Sequence, residues 1–128
     1  MRDGGLFAGW EAAIHAGELR FPRCRQCGSW NWYPLPRCRN CGSSVQEWTK
    51  VSPQGTLYSW TRVHRLFARE AVTDVPYVTG LVDVVAGVRL VCLQRPGSGG
   101  EVRIGMPVQL SLDRIGDTAH WIFDVPER

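Results

Sequence analysis

The sequence lacks any run of apolar residues long enough to span a bilayer, and residues 1–5 do not begin an apolar targeting segment. We therefore expect a cytoplasmic protein with no membrane contact. The motifs of several enzyme classes are also missing, among them G-x-S-x-G, H-E-x-x-H, the Walker loop and a G-x-G-x-x-G that opens a helix. These absences argue against a chain that carries its own catalytic residues.

Cysteine, in contrast, is present in a clear pattern. Four of the five cysteines form two C-x-x-C pairs, Cys24 with Cys27 and Cys38 with Cys41, and ten residues separate the pairs. A glycine follows each pair, and glycine can adopt the positive φ that a chain needs to turn back over a bound ion. This spacing is typical of a structural zinc site, so we predict a zinc ribbon with these four cysteines as ligands.

Three alternatives to zinc can be weighed for the four cysteines. Disulfide bonds require an oxidising compartment, for which the sequence gives no targeting signal. A catalytic zinc needs an open coordination position, and four thiolates leave none. Iron in a rubredoxin-type site uses the same ligands, so the spacing alone leaves zinc and iron both open.

The formal net charge of +3 does not by itself indicate a polyanionic partner. Four thiolates and one Zn²⁺ would lower the net charge to about +1. Five arginines lie in or beside the ribbon segment: Arg20, Arg23, Arg25, Arg37 and Arg39. They can offset the negative charge of a tetrathiolate centre, which is the simpler interpretation, or they can bind phosphate.

The N-terminal segment has the period of a short amphipathic helix. Leu6, Trp10 and Ile14 recur at helical spacing, and Gly17 stands where a left-handed residue commonly ends a helix. A helix of this length is not stable alone, so its apolar face needs another surface. We predict that residues 1–45 form one N-terminal unit, in which this helix joins the zinc ribbon.

After residue 45 the sequence becomes rich in β-branched and aromatic residues. Strands are predicted at 46–52, 56–65, 77–85, 88–94, 108–112 and 119–125. Within 56–65, the alternation places the odd-numbered residues from Leu57 to Val63 inside a barrel and the even-numbered residues from Tyr58 to His64 outside. Short antiparallel strands of this number suit an OB-fold β-barrel over residues 46–128.

The order of these segments resembles one known family. F-P-R-C-R-Q-C-G and P-L-P-R-C-R-N-C-G follow the helix, and G-T-L-Y-S-W-T-R-V-H-R, P-Y-V-T-G-L-V-D-V, G-V-R-L and I-G-M-P-V follow in turn. Together they are similar to the DUF35 family, over residues 6–125. The resemblance implies a mainly β fold: a short N-terminal helix, a rubredoxin-like zinc ribbon and then an OB-fold β-barrel.

The family resemblance also implies a function. Members are typically accessory subunits of enzymes that act on acyl-CoA thioesters, and their partners resemble thiolases. It implies a non-catalytic subunit that docks on a thiolase, acyltransferase or steroid side-chain aldolase in a heterotetramer and helps form the site of the CoA thioester. The side chains expected at the CoA site or at the partner interface are Trp10, Trp30, Tyr58, Trp60, Arg62, His64 and Arg65.

A module that binds single-stranded nucleic acid is the alternative function. Zinc ribbons and OB barrels can both bind single strands through aromatic and basic side chains. Strand binding depends mainly on neutralising phosphates, however, and a metal-loaded chain with a charge near +1 and a single lysine is poorly suited to it. We therefore do not expect a nucleic-acid partner.

Cys92 is the one cysteine outside the ribbon. It lies in the apolar stretch V-R-L-V-C-L, where alternate residues of a strand are usually buried. Nothing nearby in sequence is expected to lower the pKa of this thiol, so we expect a buried, unreactive thiol and not a nucleophile.

Overall fold

The computed structural model describes residues 5–64, 77–85, 87–95, 101–115 and 118–124. A 3-10 turn at Gly5–Phe7 leads into helix α1, Ala8–Ala16. Seven strands follow: β1 Arg20–Cys24, β2 Gln46–Lys50, β3 Gln54–Val63, β4 Tyr77–Val85, β5 Val88–Gln94, β6 Pro107–Ile115 and β7 Thr118–Asp124. The described residues are therefore mainly β with one short N-terminal helix, as predicted. Over these ranges no helix has the length and apolar character needed to cross a membrane.

The chain divides into two compact units. The first contains Met1–Ser52 and Val85–Val88, and the second contains Pro53–Val84 and Arg89–Arg128. The predicted boundary after residue 45 lies just before β2, which the structure groups with the first unit.

Helix α1 ends where the sequence indicated. Gly17 adopts the left-handed conformation, with φ of 73°, and its N–H donates to the carbonyl oxygen of Ile14. The N–H of Glu18 donates to the carbonyl oxygen of Ala13. These bonds satisfy carbonyls that the last turn of the helix would otherwise leave unpaired.

A two-stranded antiparallel sheet, β1 with β2, forms the base of the first unit. Its register runs from the pair Arg20 and Lys50 to the pair Cys24 and Gln46. We had predicted β2 as a strand of the barrel domain and had not predicted β1, which contains Pro22. The backbone partner of β2 is β1, a segment with no alternating pattern to reveal it.

The second unit is a closed five-stranded barrel in the order β3-β4-β5-β7-β6. β3 closes the barrel by pairing with β6 at Gln54 and Gln109, and β5 pairs in parallel with β7 at Leu93 and Ile122. This is an OB-like barrel, as predicted, although one strand pair is parallel and not antiparallel. Its core includes Leu57, Val82, Leu90, Cys92, Val108, Leu110, Ile122 and Phe123.

A β-bulge interrupts β3 near its middle. Leu57 pairs with Val82 on β4, and Ser59 pairs with Leu81, the adjacent residue. Tyr58 is therefore one extra residue in β3 that has no counterpart on β4. An inserted residue exchanges the two faces of a strand beyond the insertion.

The exchange places two candidate residues on the opposite face from the one predicted. Trp60 pairs with Gly80, and a side chain at Gly80 would point toward Phe123 in the core. Arg62 pairs with Val78, which is buried. Paired residues of an antiparallel ladder share a face, so Trp60 and Arg62 share the face of Gly80 and Val78, with Trp60 half-buried and Arg62 exposed. The prediction that Trp60 faces outward was wrong, because simple alternation does not account for the bulge, whereas Arg62 is exposed near the end of the strand.

Candidate metal centre

The four predicted metal ligands come together in the first unit. The Sγ atoms of Cys24, Cys27, Cys38 and Cys41 all lie within 4.8 Å of one another. Sγ of Cys24 is 3.5 Å from that of Cys41, and Sγ of Cys27 is 3.6 Å from that of Cys38. A tetrahedral centre with metal–sulfur bonds of ~2.3 Å has edges of roughly 3.8 Å. The four sulfurs therefore fit one four-coordinate ion, and they are too far apart for disulfide bonds of ~2.05 Å.

The two C-x-x-C segments form two copies of one backbone turn, and we call each copy a knuckle. The N–H of Gly28 donates to the carbonyl oxygen of Cys24 at 3.0 Å, and the N–H of Gly42 donates to that of Cys38 at 2.8 Å. The two glycines have φ of 81° and 82°, in the region that side chains disfavour. The glycine after each pair is therefore needed to turn the chain over the sulfurs.

Hydrogen bonds from the protein favour thiolates at two of the sulfurs. The Asn40 side chain, which donates to Sγ of Cys27 at 3.4 Å, and then the Ser29 side chain lower the pKa of Cys27 to about 5. The Asn31 side chain and then the backbone N–H of Cys41 lower the pKa of Cys38. Thiolates are the form that binds a metal, so these groups prepare the site for a cation.

The close approach of the four sulfurs disfavours a thiolate at Cys41. The backbone N–H of Ser43 lowers the pKa of Cys41, but the neighbouring thiols, Cys24 first among them, raise it to about 12. Four adjacent thiolates are held together only by a positive charge at their centre. Metal binding at this site is therefore coupled to release of protons from the cysteines.

Asn31 is a site residue that the sequence did not reveal. Its side chain is 0% exposed and connects two parts of the ribbon. Its amide group donates to Oε1 of Gln46 at 3.0 Å, and its Oδ1 accepts the backbone N–H of Arg39 at 3.1 Å. An asparagine between two knuckles reads as an ordinary loop residue, and only its position in the centre of that loop could have drawn attention to it.

Two of the ribbon arginines form ion pairs with acidic residues. Nε of Arg20 lies 2.7 Å from Oε1 of Glu18, and Nη1 of Arg25 lies 3.5 Å from Oε1 of Glu47. Arg20 also donates to the carbonyl oxygen of Trp48. These arginines are already engaged within the first unit, so they contribute little free positive charge.

An aromatic cluster attaches helix α1 to the ribbon. The ring of Trp32 lies 4.7 Å from that of Trp10, 5.0 Å from that of Phe21 and 6.1 Å from that of Phe7. Trp10, a predicted interface residue, is therefore half-buried against its own ribbon. This packing is the surface that the short helix was predicted to need.

Exposed apolar side chains lie at this cluster, Phe7 and Tyr33, and next to it in the chain, Leu6; we call these three residues the apolar patch. Leu6 is 50% exposed and Tyr33 60% exposed. Phe7 and Tyr33 both contact the ring of Trp32, so the patch is continuous with the aromatic cluster. Contiguous exposed apolar surface of this kind commonly marks a binding site.

Trp30, also predicted at the CoA site or interface, lies on another side of the ribbon. Its ring is half-buried, and the guanidinium carbon of Arg23 lies 4.9 Å from the ring centre. A single bridge connects Trp30 with Arg23 of β1. Trp30 is therefore held in place by both its backbone and its ring.

The barrel carries the other predicted residues. Tyr58 is exposed, and the guanidinium carbon of Arg89 lies 3.6 Å from its ring centre. Nε of Arg89 lies 2.8 Å from Oδ1 of Asp83, so Arg89 connects an aromatic ring and a carboxylate. Sequence reasoning identified Tyr58 but missed Arg89, which is on a separate strand.

Trp60, Arg62 and His64 follow one another toward the end of β3. The guanidinium carbon of Arg62 lies 5.5 Å from the Trp60 ring centre, and His64 is exposed. Arg65 lies outside the described residues. The predicted residues that the structure describes are thus divided between the two units.

Arg95 forms a polar network that sequence reasoning did not predict. Its guanidinium donates to both carboxylate oxygens of Asp124 on β7, and to Ser111 and Asp113 on β6. Asp124 and then Asp113 raise the pKa of Arg95, which stays charged. The network joins the end of β5 to the adjacent strand β7 and to β6, which pairs with β7.

Cys92 is buried, as predicted. Its side chain is 1% exposed, and burial raises the pKa of its thiol to about 12. The thiol is therefore protonated at neutral pH and is not accessible to a substrate.

The four-cysteine cluster and the five-stranded barrel define a protein that combines a zinc ribbon with an OB fold. Residues 12–46 match the family model of the ChsH2 rubredoxin-like zinc ribbon domain. Residues 48–113 match that of the ChsH2 C-terminal OB-fold domain. The chain therefore belongs to the ChsH2-type proteins of the DUF35 family, as its sequence suggested.

One solved structure extends this likeness over both units. A chain of the "Ltp2-ChsH2(DUF35) aldolase" is 27% identical, and the match covers 94% of this chain and 94% of that chain. The TM-score of 0.82 shows that the two folds agree closely. Among curated proteins, none matches the sequence.

Proposed function

We propose that this chain is a non-catalytic accessory subunit of an acyl-CoA-processing complex, which docks on a thiolase-like enzyme and helps form its acyl-CoA site. The observation that carries the proposal is the likeness to a chain of the Ltp2-ChsH2 aldolase, over 94% of both chains. Because that likeness includes ribbon and barrel together, it supports a shared role for the whole chain. It favours an aldolase over a thiolase or an acyltransferase as the partner enzyme.

The chemistry of the chain supports a role without catalysis. Four thiolates around one ion leave no coordination position for substrate, so the metal has a structural role in this proposal, with zinc as the ion. Cys92, the one other thiol, is buried and protonated. Five unpaired cysteines also suit the reducing cytoplasm that the sequence led us to expect. The partner supplies the reacting groups.

The apolar patch of Leu6, Phe7 and Tyr33 is the docking surface that we propose. Large apolar and aromatic side chains are the usual anchors of protein interfaces. This patch also rests on the Trp32 ring, which gives it a rigid support and lowers the entropy cost of binding.

A single-stranded nucleic acid remains the less suitable partner. Arg20 and Arg25 are paired with glutamates, which reduces the positive charge available for phosphates of a strand. A protein partner needs no such charge, because apolar burial supplies most of its affinity.

Co-expression with a thiolase-like protein from the same organism tests the proposal. We expect a stable heteromer with a mass close to that of a heterotetramer. The heteromer should act on CoA thioesters, and this chain alone should not. The double variant Leu6→Glu/Tyr33→Glu should lower the recovery of the heteromer at least tenfold, because it places two charges in the interface. Ile104→Glu is the matched control, since Ile104 is 69% exposed and lies in the second unit.

Two results would contradict the proposal. One is an isolated chain that neither binds the thiolase-like protein nor changes its activity. The other concerns the docking surface alone. If the heteromer forms equally well with the double variant, the interface lies outside the patch.

A further inference from the structure

A concave groove lies beside the metal centre, on the side of the ribbon that carries Trp30. It has a volume of about 650 Å³ and is lined mainly by Arg23, Gly28, Ser29, Trp30, Arg39 and Asn40. Two guanidinium groups therefore share one open groove with an aromatic ring. Arginine pairs of this kind suit planar, bidentate recognition of phosphate or carboxylate oxygens.

Arg23 is fixed in orientation but retains free donors. Its Nε donates to the carbonyl oxygen of Gly28 at 2.9 Å, and its guanidinium lies over the Trp30 ring. In the second knuckle, Nη1 of Arg37 donates to the carbonyl oxygen of Gly42 at 3.0 Å, which is the equivalent bond. Holding a knuckle turn therefore needs one guanidinium nitrogen, and the terminal nitrogens of Arg23 remain for a ligand.

Arg39 has no side-chain partner at all in the described part of the chain. Its backbone N–H donates to Asn31, but its exposed guanidinium takes part in none of the hydrogen bonds or ion pairs there. A side chain that only balanced the thiolates would be expected to bond to the ribbon, as Arg23 and Arg37 do. Arg39 is thus free to bind a ligand in the groove.

The charge around the groove favours recognition of one anionic group over binding of a long polyanion. Arg23 and Arg39 supply two positive charges, and a zinc tetrathiolate beside them carries a net charge of −2. The local field is therefore close to neutral and does not attract a long polyanion. Affinity must come from directed bonds between guanidinium groups and one anionic group.

We infer that this groove binds a phosphate group borne on a nucleotide, with Arg39 and the terminal nitrogens of Arg23 as its donors. The inference rests on the proposed function, since a CoA thioester carries a phosphomonoester on its ribose. The same chemistry would also accept free phosphate, and the choice of probes separates the two sources.

Calorimetric titration of the full-length, zinc-loaded chain tests this inference. The probes are CoA, dephospho-CoA, which lacks the phosphomonoester, and inorganic phosphate. Arg39→Gln and Arg23→Gln should each weaken CoA binding about tenfold or more, because each removes charge-assisted hydrogen bonds to phosphate. Dephospho-CoA should bind the unaltered chain as weakly as CoA binds the Arg39→Gln variant.

Arg37→Gln is the matched control, because Arg37 makes the equivalent turn bond but does not line the groove. It should change CoA affinity less than about twofold. One zinc per chain in every variant would show that the ribbon remains folded.

Absence of CoA binding at about 1 mM, or equal losses from Arg37→Gln and Arg39→Gln, would overturn the inference. If inorganic phosphate bound as tightly as CoA, the groove would still be a phosphate site. The inference that the phosphate belongs to a nucleotide would then be wrong. None of these results bears on whether the heteromer forms. The co-expression experiment therefore tests the proposed function independently of this inference.

Discussion

Asn31 stabilises the ribbon through one fully buried side chain. Its amide bonds to Gln46 of β2 and to the backbone of Arg39 in the second knuckle, and the same side chain lowers the pKa of Cys38. It therefore supports both the backbone and a metal ligand. Groups that orient a metal ligand in this way commonly contribute tenfold or more to metal affinity.

We predict that Asn31→Ala weakens zinc binding by about 10- to 100-fold. It should also lower the unfolding free energy of the ribbon by about 2 kcal/mol, because it removes the hydrogen bonds of a buried side chain to Gln46 and to the backbone of Arg39. Competition with a chromophoric chelator measures the first effect and denaturant unfolding the second. Gln26→Ala, at an exposed position of the first knuckle, is the control and should change neither. Equal behaviour of the two variants would show that Asn31 has no special role.

Close packing between helix α1 and strand β2 decides whether another substitution stabilises or destabilises the protein. Glycine inside a helix usually costs about 1 kcal/mol relative to alanine, so Gly9→Ala would ordinarily stabilise α1. A Cβ at Gly9, however, would lie 2.2 to 2.4 Å from ring atoms of Trp48. Overpacking of this kind costs about 1–3 kcal/mol, which exceeds the gain in helix propensity.

We therefore predict that Gly9→Ala destabilises the first unit by about 1 kcal/mol in denaturant unfolding followed by tryptophan fluorescence. Adding Trp48→Leu should make the alanine favourable, because the smaller side chain leaves room for the Cβ. A Gly9→Ala variant more stable than the parent would mean that the helix does not approach the indole closely.

The elements that the sequence predicted well are those with local signals. The knuckles follow from cysteine spacing and from the glycine after each pair, since both act within a few residues. Tyr77–Val85 and Val88–Gln94 were predicted at their observed limits, because apolar residues form an almost continuous run in each strand.

The elements that were missed depend on distant partners. β1 contains Pro22 and becomes a strand only because β2, more than twenty residues later, pairs with it. The bulge at Tyr58 leaves no mark in the alternation of β3, yet it reverses the direction of Trp60. Asn31 is recognisable only from the two groups that its side chain joins. Non-local hydrogen bonding, and not composition, decides each of these features.

At the scale of the whole molecule, the two units differ in what stabilises them. The barrel has a closed hydrogen-bonded ladder and an apolar core that includes Leu57, Val82 and Phe123. In the first unit, the described core includes Ala13, Leu19 and Phe21 together with two of the metal-binding cysteines. A core this small rarely supports a fold alone, so the bound ion should supply much of the stability of the first unit.

Removing the metal should therefore unfold one unit and leave the other. We expect a strong zinc chelator to increase hydrogen exchange of the β1 and β2 amides of the full-length chain about 100-fold or more. Amides of β6 and β7 should change less than about threefold, and added zinc should restore protection in the ribbon.

Lowering the pH should act in the same direction as the chelator, because protons compete with the ion for the four sulfurs. Stability of the ribbon is thus expected to be present while all four cysteines are metal-bound thiolates and to be lost as the pH falls. Simultaneous loss of protection in both units would show that they unfold cooperatively, and protection of β1 and β2 that survives chelation would show that the ribbon folds without its ion.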